Sequence, residues 1–271
     1  MFIFRVMCYN RRSMDFISIS KKHSLASSIA HIFLNFLLVL VSWLSIYVTK
    51  TPFIAIALVV ISKWRTFAVR PRYWVVNVKS NLVDLIFSLG IVVLMYSTGV
   101  EFWLSQAFLA IAYLGWLTLL KPRSSEKAVK AQALVSVFVG LTAILSIAYA
   151  WPVDIVVLVA FLIGYATFRH VISSLKSENI ELISLFWGII FAEFIWVLNF
   201  LLVGYTIAFN SIFNFIIPQA SIIATVLSFL AFESVSIANN EEKTVRDLFL
   251  PTAFTVSICL LLILLFSSIL Q

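Results

Sequence analysis

Long apolar stretches follow one another along almost the whole chain, and the basic residues gather in every second gap between them. A helix needs about 20 mostly apolar residues to cross the roughly 30 Å of bilayer hydrocarbon. Nine stretches fit: residues 29–49, 52–69, 81–99, 102–120, 131–150, 153–173, 182–204, 210–233 and 251–270. Hydrophobic residues make up 62% of the 271, and charged residues only 11%. A water-soluble chain carries about a quarter charged residues, so the apolar surplus here has to face lipid. The predicted fold is an all-α, polytopic transmembrane helical bundle. It forms a single domain over 29–271 behind an N-terminal tail, residues 1–28.

The stretch 52–69 is the weakest. Its clean apolar core runs only from Pro52 to Ser62. It reaches membrane length only if Lys63 and Arg65 snorkel towards the headgroups. The other reading is a short re-entrant or interfacial segment, which leaves eight spans.

Charge sets the orientation. With the N-terminus inside, one side of the membrane receives Arg5, Arg11, Arg12, Lys21, Lys22, Lys63, Arg65, Arg70, Arg72 and Lys79. It also receives Lys121, Arg123, Lys127, Lys130, Arg169, Lys176, Lys243 and Arg246. Of the 19 Lys and Arg, Lys50 alone falls on the other side. Basic loops stay cytoplasmic, so the expectation is N-in and C-out. The net charge of +7 is then a matter of topology and of anionic headgroups on the inner face. It is no sign of a nucleic-acid partner. Pro52, Pro152 and Pro251 sit where helices would begin, and Trp43, Trp64, Trp74, Trp103, Trp116 and Trp151 near span ends suggest an aromatic belt. Met1–Met7, interrupted by Arg5, is too short for a cleavable signal. Met14 is an alternative start.

Glu193 is the leading functional candidate. At about 1.5 Å per residue, roughly eleven residues into 182–204 is close to the midplane. A carboxylate there is costly and is expected to face the bundle or a cavity. It reads either as a proton- or cation-coupling site or as a neutral Glu bonded to a neighbouring helix as packing glue. Asn199 shares its face, and the next span adds Asn210, Asn214 and Gln219. Pro218, within that span, is expected to kink it and free a carbonyl. A polar cavity between these two spans is the site hypothesis. Asp84 reads as an ion ligand or gate, or as a carboxylate near a helix N-terminus and close to Lys79; Glu233 is similar. Arg169, His170 and His31 read as interfacial or packing residues. Lys63, Arg65, Arg70 and Arg72, interleaved with Trp64, Phe67, Tyr73 and Trp74, read as contacts to anionic lipid headgroups.

No HExxH, GxSxG, P-loop, GxGxxG or aspartate-rich pair occurs in the sequence. The histidines are not paired at helical spacing, and Cys8 and Cys259 form no CxxC. No cofactor and no metal ligand set is expected. Transporters built on broken helices show Gly or Pro interruptions in matching segments of two halves. A single such interruption, Pro218, gives that class little support.

Ser62–Trp74 running on to Asn81-Leu-Val-Asp84, together with Phe191-Ala-Glu-Phe-Ile-Trp196 and Ile217-Pro-Gln-Ala-Ser-Ile222, resembles uncharacterised polytopic membrane proteins of candidate-phylum bacteria of the Saccharibacteria type. The resemblance implies a bacterial cytoplasmic membrane and a family role for residues around Glu193 and Gln219. It implies no activity.

The favoured function is a small-solute or ion permease-like protein with a midplane carboxylate. The alternative is a non-enzymatic membrane subunit or scaffold with membrane-protein partners. A third reading, an intramembrane lipid-modifying enzyme, would use Glu193, Asp84 or His170.

Overall fold

The computed structural model describes residues 27, 29–68, 70–148, 151–175, 179–200, 203–209, 212–240 and 244–265, without the side chains of Arg65 and Leu265. Met14, Asn210 and nearly all of the tail lie outside the described residues. The helices are α1 (Ile29–Thr49), α2 (Phe53–Ser62), α3 (Trp74–Ser97), α4 (Trp103–Gly115), α5 (Glu126–Ile147), α6 (Val153–Ser174), α7 (Ile180–Asn199), α8 (Gln219–Ala238) and α9 (Phe249–Leu265). Among the described residues, eight helical segments are long and apolar enough to cross a membrane, and α2 is shorter. The protein is an all-α, multi-pass membrane bundle with one β-hairpin inserted in it.

α5 is the centre. It packs on α3, α6 and α8, and 67% of its apolar window is buried, against 17% in α1 and 11% in the last span. Its small and polar residues carry interhelical bonds. Ser136 Oγ donates to Val83 O at 3.2 Å, and Thr142 Oγ1 donates to Ser221 Oγ at 3.0 Å. Lipid gives no hydrophobic drive between helices, so small residues and such bonds do the joining. α6 and α7 approach closely. A Cβ on Gly164 would stand 2.8 Å from both Cβ and Cδ1 of Phe191.

Ion pairs tie one end of the bundle together. Lys79 and Arg169 meet Glu181 at 2.9 and 3.1 Å. Lys130 meets Glu126 at 3.2 Å and Glu233 at 2.9 Å. These pairs join the starts of α3, α5 and α7 to the ends of α6 and α8, and that end is called the basic end below.

Three boundaries differ from expectation. The stretch 52–69 is helical only to Ser62; it then turns through Trp64–Thr66 and descends along α3. Asn77 Nδ2 donates to Thr66 O at 3.3 Å, and Trp74 Nε1 to Phe67 O at 3.1 Å. The chain thus still returns to the basic end, half of the way without helix. α3 begins at Trp74, after a turn led by Pro71, well before residue 81. Finally, α7 stops at Asn199, and 210–233 is not one helix. β1 (Gly204–Phe209) and β2 (Phe213–Pro218) pair antiparallel, from Gly204↔Pro218 to Phe209↔Phe213. The runs Tyr205-Thr-Ile-Ala-Phe and Phe213-Asn-Phe-Ile-Ile are aromatic and β-branched, which favours strands. Pro218 does not kink a helix; it stands immediately before α8 as its cap residue.

Candidate functional site

The most concentrated buried charge lies on α3. Asp84 Oδ2 accepts from Lys63 Nζ and lies 2.7 Å from Lys121 Nζ, while Oδ1 accepts from Trp116 Nε1 at 3.0 Å. The side chains of Lys63 and Asp84 are 13% and 10% exposed, and that of Lys121 is 41% exposed. Ser88 Oγ donates to Asp84 O at 2.6 Å and accepts from Lys63 Nζ at 3.4 Å. Phe87 stacks on Trp116 with centroids 4.0 Å apart. Along the helix axis, Asp84 stands about 20 Å from Ser97 and about 15 Å from Trp74.

Three local structures converge there. Lys63 is the C-cap residue of α2, where the helix dipole favours a cation. Trp116–Leu120 continues α4 as a π-turn, closed by Lys121 N donating to Trp116 O at 2.9 Å. Asp84 lies in the interior of α3 because that helix starts at Trp74. It is therefore not a helix-end carboxylate, and Lys79 is not its partner but that of Glu181. Two lysines thus meet one carboxylate, and Lys121 is the most exposed of the three.

At the other end of α3 is a cavity of about 280 Å³, lined by Ser97, Thr98, Ser146, Asn214, Gly204 and Pro218 among others. Asn214 Oδ1 is buried with no bonding partner among the described residues. The Asn214 backbone holds Ser105 Oγ at 2.9 Å through both N and O, which fixes the hairpin on α4. Phe87, Ile91 and Met95 of α3 and Tyr113 of α4 are buried in the core.

The residues proposed from sequence do not converge. Glu193 is exposed on the outside of the bundle. It lines an open groove with Asp154, Leu158, Phe161 and Trp196. The inward stripe of α7 is Ser184, Gly188, Phe191, Ala192 and Ile195, and Glu193, two positions from both Phe191 and Ile195, turns away from it. It is about 9 Å from the helix end at Asn199, not at the middle. Asn199 Oδ1 is buried without a partner among the described residues. Gln219 Nε2 is committed to Leu262 O at 2.9 Å and ties α8 to α9. The expected cavity joining Glu193, Asn199, Asn214 and Gln219 is thus replaced by separate environments.

Of the four basic residues expected at headgroups, Lys63 is instead buried on Asp84. Arg70 and Arg72 are exposed, and the guanidinium of Arg72 lies 4.6 Å from the Tyr73 ring centroid. The side chain of Arg65 is outside the described residues. His170 Nε2 pairs with Gln132 Oε1 at 3.0 Å, so Asp84, Glu193 and His170 have no common neighbour to make a catalytic set. Lys121 and Trp116 were missed as site residues. Lys121 follows a span directly, and that position also suits a plain interfacial lysine.

Comparison with protein-family models, with curated proteins and with solved structures gave no match. Function has to be read from the site itself.

Proposed function

We propose that the protein is a small-solute or ion permease-like protein of a bacterial cytoplasmic membrane, with the basic end inside and Asp84, Lys63 and Lys121 as its charge-handling site. The observation that carries this reading is a half-length helix, α2, ending on a buried ion cluster deep in the bundle. Ionisable groups at membrane depth are costly and mark ion or substrate paths. Ends of discontinuous helices are where transporters place such sites. The chemistry favours a small anion. A proton on Asp84 releases both ammonium groups, and an anion can then take the place of the carboxylate. The polar cavity at Ser97, Thr98 and Asn214 serves as the outer vestibule.

Proteoliposomes carrying a trapped pH dye test it, with imposed gradients of chloride, acetate and phosphate. At least one gradient should dissipate faster than in protein-free vesicles, and Asp84→Asn should abolish that flux. If every gradient decays at the protein-free rate, the permease reading is wrong.

Glu193 supports a second reading, a subunit or scaffold of a larger complex. A carboxylate exposed beside Ile189, Ile190, Trp196 and Val197 on an apolar face is better satisfied by a protein partner than by lipid chains. Crosslinking from Glu193 in membranes to a stoichiometric partner would favour that alternative.

A further inference from the structure

We infer that the groove between α4 and α5 holds one acyl chain of an anionic phospholipid, its headgroup resting on Lys121, Arg123 and Lys127. α4 and α5 each pack along α3 but scarcely on one another. The cleft between them holds about 400 Å³ and is almost wholly apolar. Ile91 and Leu94 form its floor, Ala112 and Leu119 one wall, and Val135 and Phe138 the other. Phe215 from β2 also lines it, beside Leu94 at the hairpin end. From Phe108 to Leu120 it runs about 18 Å along the helix, close to the roughly 15 Å depth of one leaflet.

Charge says which molecule fits. The groove reaches Leu119 and Leu120 at the basic end, where Lys121, Arg123 and Lys127 are exposed. Arg123 and Lys127 have no ion pair among the described residues. Basic pockets between spans at the inner face suit acidic headgroups. A neutral lipid would leave Arg123 and Lys127 unanswered, whereas Lys121 already meets Asp84.

Gly115 is a second, independent observation. It lines the groove, and a Cβ added there would meet nothing within 4 Å. A glycine inside a helix is unfavourable relative to alanine. No close packing requires this one, and its effect is to keep the wall open where a chain would lie.

Native mass spectrometry and thermal melts of the full chain in detergent test the inference, with phosphatidylglycerol, phosphatidylcholine or inorganic phosphate added. Phosphatidylglycerol should raise the Tm and be retained as a single bound lipid, with about tenfold or more preference over phosphatidylcholine. Inorganic phosphate alone should leave the Tm unchanged. Gly115→Phe, or Ala112→Phe one turn away, should abolish retention without lowering the basal Tm. Arg123→Gln with Lys127→Gln should reduce the preference for phosphatidylglycerol. The inference fails if both groove-filling variants still retain the lipid. It fails equally if the two lipids bind alike, or if phosphate alone reproduces the shift.

Discussion

Trp116 and Lys121 grip opposite oxygens of one carboxylate, the indole Nε1 at 3.0 Å from Asp84 Oδ1 and the ammonium Nζ at 2.7 Å from Oδ2. In an α-helix, residues five apart point about 140° away from each other. The π-turn Trp116–Leu120 removes that divergence, because its i→i+5 bond brings the two positions over one another. Inserted π-turns concentrate at functional sites, and here the turn's visible result is a three-donor seat for Asp84. Lys63, arriving from the end of α2, completes it.

Removing the carboxylate should therefore harm more than removing either lysine. Asp84→Leu leaves two ammonium groups facing each other, one of them buried, and should cost about 3–5 kcal/mol. Lys63→Met leaves Asp84 with Lys121 and should cost less. The pair Lys63→Met with Asp84→Leu should recover most of the loss, since apolar replacement of a buried pair is often near neutral. A double-mutant cycle from unfolding in mixed micelles checks this. Additive losses would show that the two groups do not interact.

The α6–α7 contact should be intolerant of a single methyl group. Gly164→Ala places its Cβ 2.8 Å from Phe191 Cβ as well as from the ring. The expected loss is about 1–3 kcal/mol, measured by the same unfolding assay. Phe191→Ala should not rescue it, because the clashing Cβ remains. Gly115→Ala, facing open space, should stabilise by about 0.5–1 kcal/mol.

The bundle itself was legible because lipid makes a demand that shows in every window of twenty residues. The site was not, because it depends on where helices start and stop. Beginning α3 at Trp74 moved Asp84 from a helix end to the interior. Ending α7 at Asn199 puts Glu193 in the last third of its helix. Hydropathy sees neither boundary: Asn77, Lys79 and Ser80 make the first turns of α3 polar, and the sequence beyond Asn199 stays apolar. The hairpin was hidden for the same reason: Tyr205–Phe209 and Phe213–Ile217 are short apolar runs, and such runs do not separate strand from helix. Inwardness was misjudged too. A carboxylate in a span was expected to face the bundle, but α7 is peripheral and only its stripe through Gly188, Phe191 and Ile195 turns inward.

Glu193 gives a third prediction. With no bond or ion pair among the described residues, it contributes nothing to the isolated fold. Glu193→Leu should change the stability of the purified protein by no more than about 0.5 kcal/mol. In membranes the same variant should lose any partner crosslinked through that face. A loss of several kcal/mol in detergent would mean that Glu193 has an intramolecular partner after all.

Gln106 should prove the most sensitive neutral polar residue at the end of the bundle opposite the ion pairs. It is fully buried, and both its donors and its carbonyl oxygen are spent on one joint. Nε2 donates to Met95 O at 3.0 Å and Gly99 O at 3.1 Å, and Oε1 accepts from Trp43 Nε1 at 3.2 Å. It thus closes the α3–α4 turn, where Gly99 has φ +80°, and fastens the peripheral α1 to it. Gln106→Leu orphans Gly99 O and the Trp43 indole N–H, at about 1–3 kcal/mol for each one left buried, while Met95 O keeps Thr98 Oγ1 at 3.0 Å. Gln106→Glu should be worse, because it trades the donor for a charge facing two carbonyl oxygens. Trp43→Phe should cost only about 1 kcal/mol, since one donor leaves and the amide keeps its other bonds. Hydrogen exchange separates this from general loosening: residues 98–102 should lose protection in Gln106→Leu while the α5–α6 core keeps its own.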